Sequence, residues 1–169
     1  MKKIVSIIET ITNVLSGYLP ALTVFLLMVM VLGEVLTRYV MQDPLSIADE
    51  LGGFMLVGIT FIGLAYTWKE RSHVSVEIVT NMLSPGVRRW LKLFTLLLAT
   101  VFCWPLIAGS YELLQDSLLF GSRSGSWMRT PLVYPQSVLL VGSVLLLLQL
   151  VAEIIKSVLE LMNTGGNEK

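Results

Sequence analysis

Few side chains in this sequence could do chemistry, and they stand apart from one another. Glu34 ends an apolar run and Arg38 lies one helical turn beyond it, so the two can pair at i,i+4 on one face. An ionised group at membrane depth costs about 2.5 to 3.5 kcal/mol on insertion scales. A carboxylate at this position is therefore either an ion- or proton-coupling group or one end of a salt bridge near a helix end, and the local bridge is the expectation here. Asp49 and Glu50 open the next apolar segment, where a helix N-terminus favours negative charge, and Ser46 with Asp49 has the spacing of a capping box. Arg38 stands across a short turn at 41–45, so a cluster of Arg38 with Asp49 and Glu50 is expected to pin an outer hairpin rather than to catalyse. The single cysteine, Cys103, can form neither an internal disulfide nor a CxxC pair, which excludes a thiol oxidase. The single histidine, His73, cannot supply the paired axial ligands of a membrane cytochrome. Metal-ligand clusters, phosphate-cradling glycine loops and nucleophile elbows are absent from the sequence. No catalytic, cofactor-binding, metal or substrate-binding residue is therefore expected, and the chain does not read as an enzyme.

The elements that carry these residues are set by four stretches without charge: Thr10 to Gly33, Leu51 to Trp68, Leu93 to Tyr111 and Thr130 to Ala152. Each is long enough to cross a hydrocarbon layer of roughly 30 Å at about 1.5 Å per helical residue. Composition agrees, with 54% apolar and 14% charged residues among 169, and a net charge of zero argues against a nucleic-acid binder. The predicted fold is an all-α integral membrane protein, one membrane domain over 1–169, with spans at about 14–40, 48–69, 90–114 and 132–157 and an amphipathic segment at about 74–84. Lys2, Lys3, Lys69, Arg71, Arg88, Arg89, Lys92, Lys156 and Lys169 fall on one side of such a topology, against Arg38, Arg123 and Arg129 on the other. The positive-inside rule then predicts both termini in the cytoplasm. The first span has no small-x-small cleavage site before Glu34 and is expected to stay as a helix rather than to be removed as a signal peptide.

Between the spans, Lys2 to Gly17 has apolar residues at helical spacing, with a bend expected near Gly17 and Pro20. Val76, Val79 and Leu83 share a face opposite Glu77, Thr80, Asn81 and Ser84, the pattern of a helix lying in the membrane interface. Pro105 predicts a kink in the third span. Gly121, Ser122, Ser124, Gly125 and Ser126 suggest that part of the outer connection is mobile, with Trp127 and Tyr134 marking the interface. The spans hold only a few hydroxyls and amides, too few for the convergent polar groups or broken helices of a solute pathway. Gly52, Gly53, Gly58, Gly63 and Ala65 instead give the second span a small-residue surface suited to close helix approach.

The run Arg38-Tyr39-Val40, the segment Pro44 to Glu50, Gly63 to Trp68 and His73-Val74-Ser75-Val76-Glu77 resemble the small permease subunit, DctQ-like, of tripartite ATP-independent periplasmic (TRAP) transporters. Ile47 stands where that family usually has Trp, Asp49 where Glu is common and Glu77 where Asp is common. The resemblance implies a protein of the bacterial inner membrane without a substrate site or cofactor of its own. It also implies a large permease subunit that moves an organic acid with sodium, a periplasmic solute-binding protein that delivers it, and contact with membrane lipids. Arg38, Asp49, Glu50, His73, Glu77, Gly53 and Gly63 are then candidate structural or partner-interface residues, His73 and Glu77 ordering the start of the cytoplasmic helix. The competing expectation is an autonomous proton-coupled antiporter using Glu34, which would place its carboxylate nearer the middle of the first span.

Overall fold

The computed structural model describes residues 7, 8, 10–42, 47–71 and 84–165. Among these residues the chain is helical, without strands, and four helices are long and apolar enough to cross a membrane. Helix α1 covers Thr10–Met41, α2 Ile47–Arg71, α3 Pro85–Phe120 and α4 Val133–Gly165. The spans run past the charge-free stretches because charged residues continue a helix into the headgroup layer, where their heads reach water while their stems stay apolar. The predicted interfacial segment at 74–84 and the turn residues Asp43 to Ser46 lie, apart from Ser84, outside the described residues.

Local chemistry sets the ends. Ser84 is extended (φ −61°, ψ 149°) ahead of Pro85, which opens α3 where a missing N–H removes no helical bond, and Arg88 N donates to Ser84 O at 3.0 Å. At the other end Gly121 adopts φ +60° and closes α3, with Ser122 N donating back to Ser117 O at 3.3 Å. Helix α3 continues through Pro105 in one element. In α1, the stretch where a bend is expected is a π-helical turn, Asn13–Tyr18, leading into the regular helix at Leu19. A second π-helical turn, Thr37–Met41, ends α1, and Gln42 turns the chain at φ 56°.

The four helices form an open row rather than a closed bundle. Helix α1 packs on α2, α2 on α4, and α4 on α3. Register follows from the contacts: Gly52 lies beside Leu27 and Met30 while Gly63 lies beside Pro20, so α1 and α2 are antiparallel. Gly58 lies opposite Val138 and Gly142 opposite Phe61, so α2 and α4 run parallel. Of the two interior helices, α2 and α4, the second is the more covered, with 39% of its most apolar stretch buried against 11% for each of the other three. Leu96 and Cys103 of α3 and Leu150 of α4 make the small apolar core, flanked by Trp68 and Ile107, and the Cys103 thiol points to the Ser143 carbonyl at 3.6 Å.

The tightest junction is at Gly142. A methyl group there would collide with the Phe61 carbonyl and lie 2.8 Å from Phe61 Cβ, so only glycine lets these backbones meet. Gly142→Ala should therefore force α2 and α4 apart and cost about 1 to 3 kcal/mol. It should lower the thermal midpoint of the detergent-solubilised protein, measured by tryptophan fluorescence. Gly53→Ala, at an exposed site with no atom within 4 Å of the added methyl, should leave the midpoint unchanged.

Candidate functional site

At the first turn of α2, Glu50 is only 6% exposed and both carboxylate oxygens are engaged by the connection between α3 and α4. Thr130 N donates to Oε1 at 3.1 Å, and the Ser126 hydroxyl donates to Oε2. The connection itself is folded, in contrast to the expectation of mobility. Ser124 N donates to Thr130 O at 2.9 Å, Leu132 N to Ser122 O at 3.0 Å, and Arg123 and Pro131 form an isolated antiparallel bridge. Its serines are hydrogen-bonding partners here rather than solvated linker: Ser124 Oγ and Ser126 Oγ lie 3.0 Å apart, and Ser126 N donates to Ser124 Oγ at 3.3 Å. Arg129 takes φ 48°, a left-handed conformation that turns the chain tightly enough to aim Thr130 N at the carboxylate. The result is a latch across sequence-distant elements, and it holds Trp127 86% exposed.

Arg38 takes no part in that latch. Its Nη2 donates to Glu34 Oε1 at 3.0 Å, a pair within α1, so the expected Arg38 cluster with Asp49 and Glu50 is replaced by a local bridge. The physical reason is reach: Glu34 lies one turn away on the same face, while both Glu50 oxygens already face Ser126 and Thr130. Glu34 is 6% exposed, and its Oε2 has no hydrogen-bond partner among the described residues. Asp49 is exposed. A methyl group at Gly63 would lie 3.9 Å from Pro20, an ordinary van der Waals contact, whereas Gly53 faces open space. His73 and Glu77 lie outside the described residues.

Five hydroxyls within the spans are turned back onto their own helices. Thr23 donates to Leu19 O at 2.8 Å, Thr95 to Leu91 O at 3.0 Å, Thr100 to Leu96 O at 2.8 Å, Ser110 to Leu106 O at 2.6 Å and Ser143 to Leu139 O at 2.8 Å. Satisfied in this way, they are not aimed at a common point that a solute could occupy. Toward the far end of α4, Gln149, Glu153 and Ser157 recur at four-residue spacing and are all buried. The Gln149 amide and the Ser157 hydroxyl have no partner among the described residues. Sequence reasoning named Gln149 only as part of a sparse polar inventory and missed the face it shares with Glu153. The i,i+4 repeat running across the charge boundary was the available signal.

The family model for the DctQ component of tripartite ATP-independent periplasmic transporters matches residues 27–160, from within α1 to near the end of α4. The chain belongs to this family. Among curated proteins it is 29% identical, over 93 residues, to one from Haemophilus influenzae provisionally named a TRAP transporter small permease protein. That match covers 55% of this chain and 58% of the relative. It is also 26% identical over 70 residues to the sialic acid TRAP transporter permease protein SiaT of another strain of that species, covering 41% of this chain and 11% of SiaT. The chain thus spans less than two thirds of either relative. With its four long apolar helices, this DctQ-family chain is a multi-pass membrane component of a transport system.

The latch makes a direct prediction. Glu50→Ala leaves the Thr130 N–H without its acceptor. Amide exchange at Thr130, followed by mass spectrometry, should then speed up by about ten- to a hundredfold. Arg38→Ala, which removes the pair with Glu34, should leave that exchange rate unchanged.

Proposed function

We propose that this chain is the small membrane subunit of a TRAP transporter and acts as a fixed scaffold for the large permease subunit. Transport in this reading is sodium-coupled uptake of an organic acid handed over by a periplasmic binding protein, with cargo and ion sites in the large subunit. The observation that carries it is the open row. Three of the four helices are largely unburied, and α1 alone presents Leu22, Phe25, Leu26, Val29 and Leu32 about half exposed, more apolar face than the chain itself covers. Such a row can lengthen a partner's wall in the membrane without enclosing a pathway. Internally bonded hydroxyls support the same reading, because a subunit that does not carry cargo has no need of groups that converge on one.

The match to a short part of the much longer SiaT supports a large-permease partner, since there a DctQ-like stretch sits in a permease protein. In the scaffold reading the latch holds the outer connection, with Trp127 and the end of α3, as a stiff surface toward the binding protein. Both termini lie in the cytoplasm of a bacterial inner membrane, by the excess of Lys and Arg flanking the junction of α2 and α3. The segment at 74–84 braces the scaffold in the interface. The antiporter alternative is weakened by Glu34, whose carboxylate is paired with Arg38 near the end of α1 rather than free at mid-membrane.

Reconstitution tests the proposal. Proteoliposomes with this chain alone should accumulate no organic acid under a sodium gradient, whereas those with the large subunit and a loaded binding protein should. Uptake by the chain alone would refute the scaffold role. Glu50→Ala should lower recovery of the large subunit by affinity purification and lower uptake in parallel, while Glu34→Gln should leave uptake intact. For orientation, in a background where Cys103 is replaced by serine, Gly125→Cys should react with an impermeant maleimide in whole spheroplasts, and Arg88→Cys only after lysis.

A further inference from the structure

Between the π-helical start of α1 and the end of α2 lies a pocket of about 450 Å³, lined by Asn13, Gly17, Tyr18, Ala21, Tyr66 and Lys69. Its construction is specific. The π-helical turn Asn13–Tyr18 widens α1, and such turns recur where helices serve a function. Gly17 has no side chain, so the Tyr66 ring can lie 3.3 Å from where a Cβ would stand and wall one side. Lys69 reaches from α2 to donate to Asn13 Oδ1 at 2.6 Å, which fixes an ammonium at the pocket with an amide beside it. Tyr18, 76% exposed, stands at the mouth, and from it Leu22, Phe25 and Val29 continue along α1 at helical spacing, 58%, 56% and 50% exposed.

A cation and an amide at a helix end, opening onto a continuous apolar track toward the membrane middle, match a molecule with two unlike ends. We infer that this pocket binds the phosphate of an anionic glycerophospholipid, with its acyl chains lying along Leu22, Phe25 and Val29. Lys69 supplies the charge and Asn13 a hydrogen-bonding amide. The phenols of Tyr18 and Tyr66 sit at headgroup level, where an apolar ring and a polar tip are both accommodated. The inference concerns the free edge of α1 in the separate chain, the same face that the scaffold reading gives to the large subunit on assembly.

Native mass spectrometry on the full chain, purified from membranes and delipidated, tests it with phosphatidylglycerol and phosphatidylethanolamine of matched acyl chains. The wild type should prefer phosphatidylglycerol by about fivefold, the effect of one basic residue near an anionic headgroup. Lys69→Ala should abolish that preference and Lys69→Arg should keep it. Ala21→Phe, which fills the pocket without changing charge, should lower occupancy by both lipids. Equal binding of the two lipids to the wild type, an unchanged preference in Lys69→Ala, or undiminished occupancy in Ala21→Phe, would overturn the inference. So would competition by glycerol phosphate, which has no chains, as effective as competition by the lipid, since the site would then take a free anion. Loss of the phosphatidylglycerol signal when the large subunit is bound, with no loss in the separated chain, would support a site that the partner covers on assembly. Should Lys69→Ala fail to fold, the Lys69→Arg and Ala21→Phe pair decides the matter.

Discussion

In hydrocarbon, apolar side chains gain little by leaving lipid for one another, so helices stay together only where backbones approach closely or polar groups bond across. Three such ties among the described residues centre on α2. Gly142 lets α4 touch the Phe61 carbonyl of α2. Glu50 fastens the start of α2 to the connection leading into α4. Lys69 fastens the end of α2 to the start of α1. Helix α2 takes part in all three, while α4 contributes most of the buried surface. The remaining helix, α3, is held by the small core of Leu96, Cys103 and Leu150 and by the short connection that Glu50 latches.

How much of this could be read from the sequence depends on whether the cause was local. Four spans, their order and the Glu34–Arg38 pair follow from runs and spacings within one segment, and the residues carrying them stand where those spacings put them. The close approach of α2 was legible only in part. Its glycines were visible, but Gly53 faces open space while Gly52, Gly58 and Gly63 face neighbours, because a period of 3.6 puts adjacent glycines on different sides. The deciding glycine lay on another helix, at Gly142. Glu50 was identified as a pinning residue, yet its partners Ser126 and Thr130 lie far along the chain, and a serine-rich stretch reads as loose until a carboxylate is known to sit beside it.

The two buried carboxylates show why geometry, and not burial alone, decides what an acidic group does at a membrane edge. Glu34 and Glu50 are equally exposed, at 6%. Glu34 has one oxygen paired, and its partner belongs to the same helix, so the bond can stiffen a turn of α1 but joins nothing. Both oxygens of Glu50 accept from a connection separated from it by two helices, and one donor is a backbone N–H that would otherwise go unsatisfied. A charged group bonded across sequence-distant elements constrains the fold, whereas an i,i+4 pair on one helix does not. That difference makes Glu50 the residue through which the end of the protein where α2 starts is organised.

An open row of helices would be unstable in water, where every unburied apolar face is penalised, but lipid solvates those faces at no comparable cost. In the scaffold reading the chain can therefore keep its shape before it meets the large subunit, and association is not driven by hiding hydrophobic surface. It has to come from shape: flat helix faces that pack against a second flat surface, displacing lipid along their whole length. Rigidity then matters more than adhesion, because a row that flexed at its outer connection would present a different face each time. Latching that connection to α2 through Glu50, and bringing α2 to backbone contact with α4 at Gly142, removes the two motions that would spoil the match. The same economy explains why the span hydroxyls bond to their own carbonyls, since a polar group left facing the lipid would have to be satisfied anew by whatever packed against it.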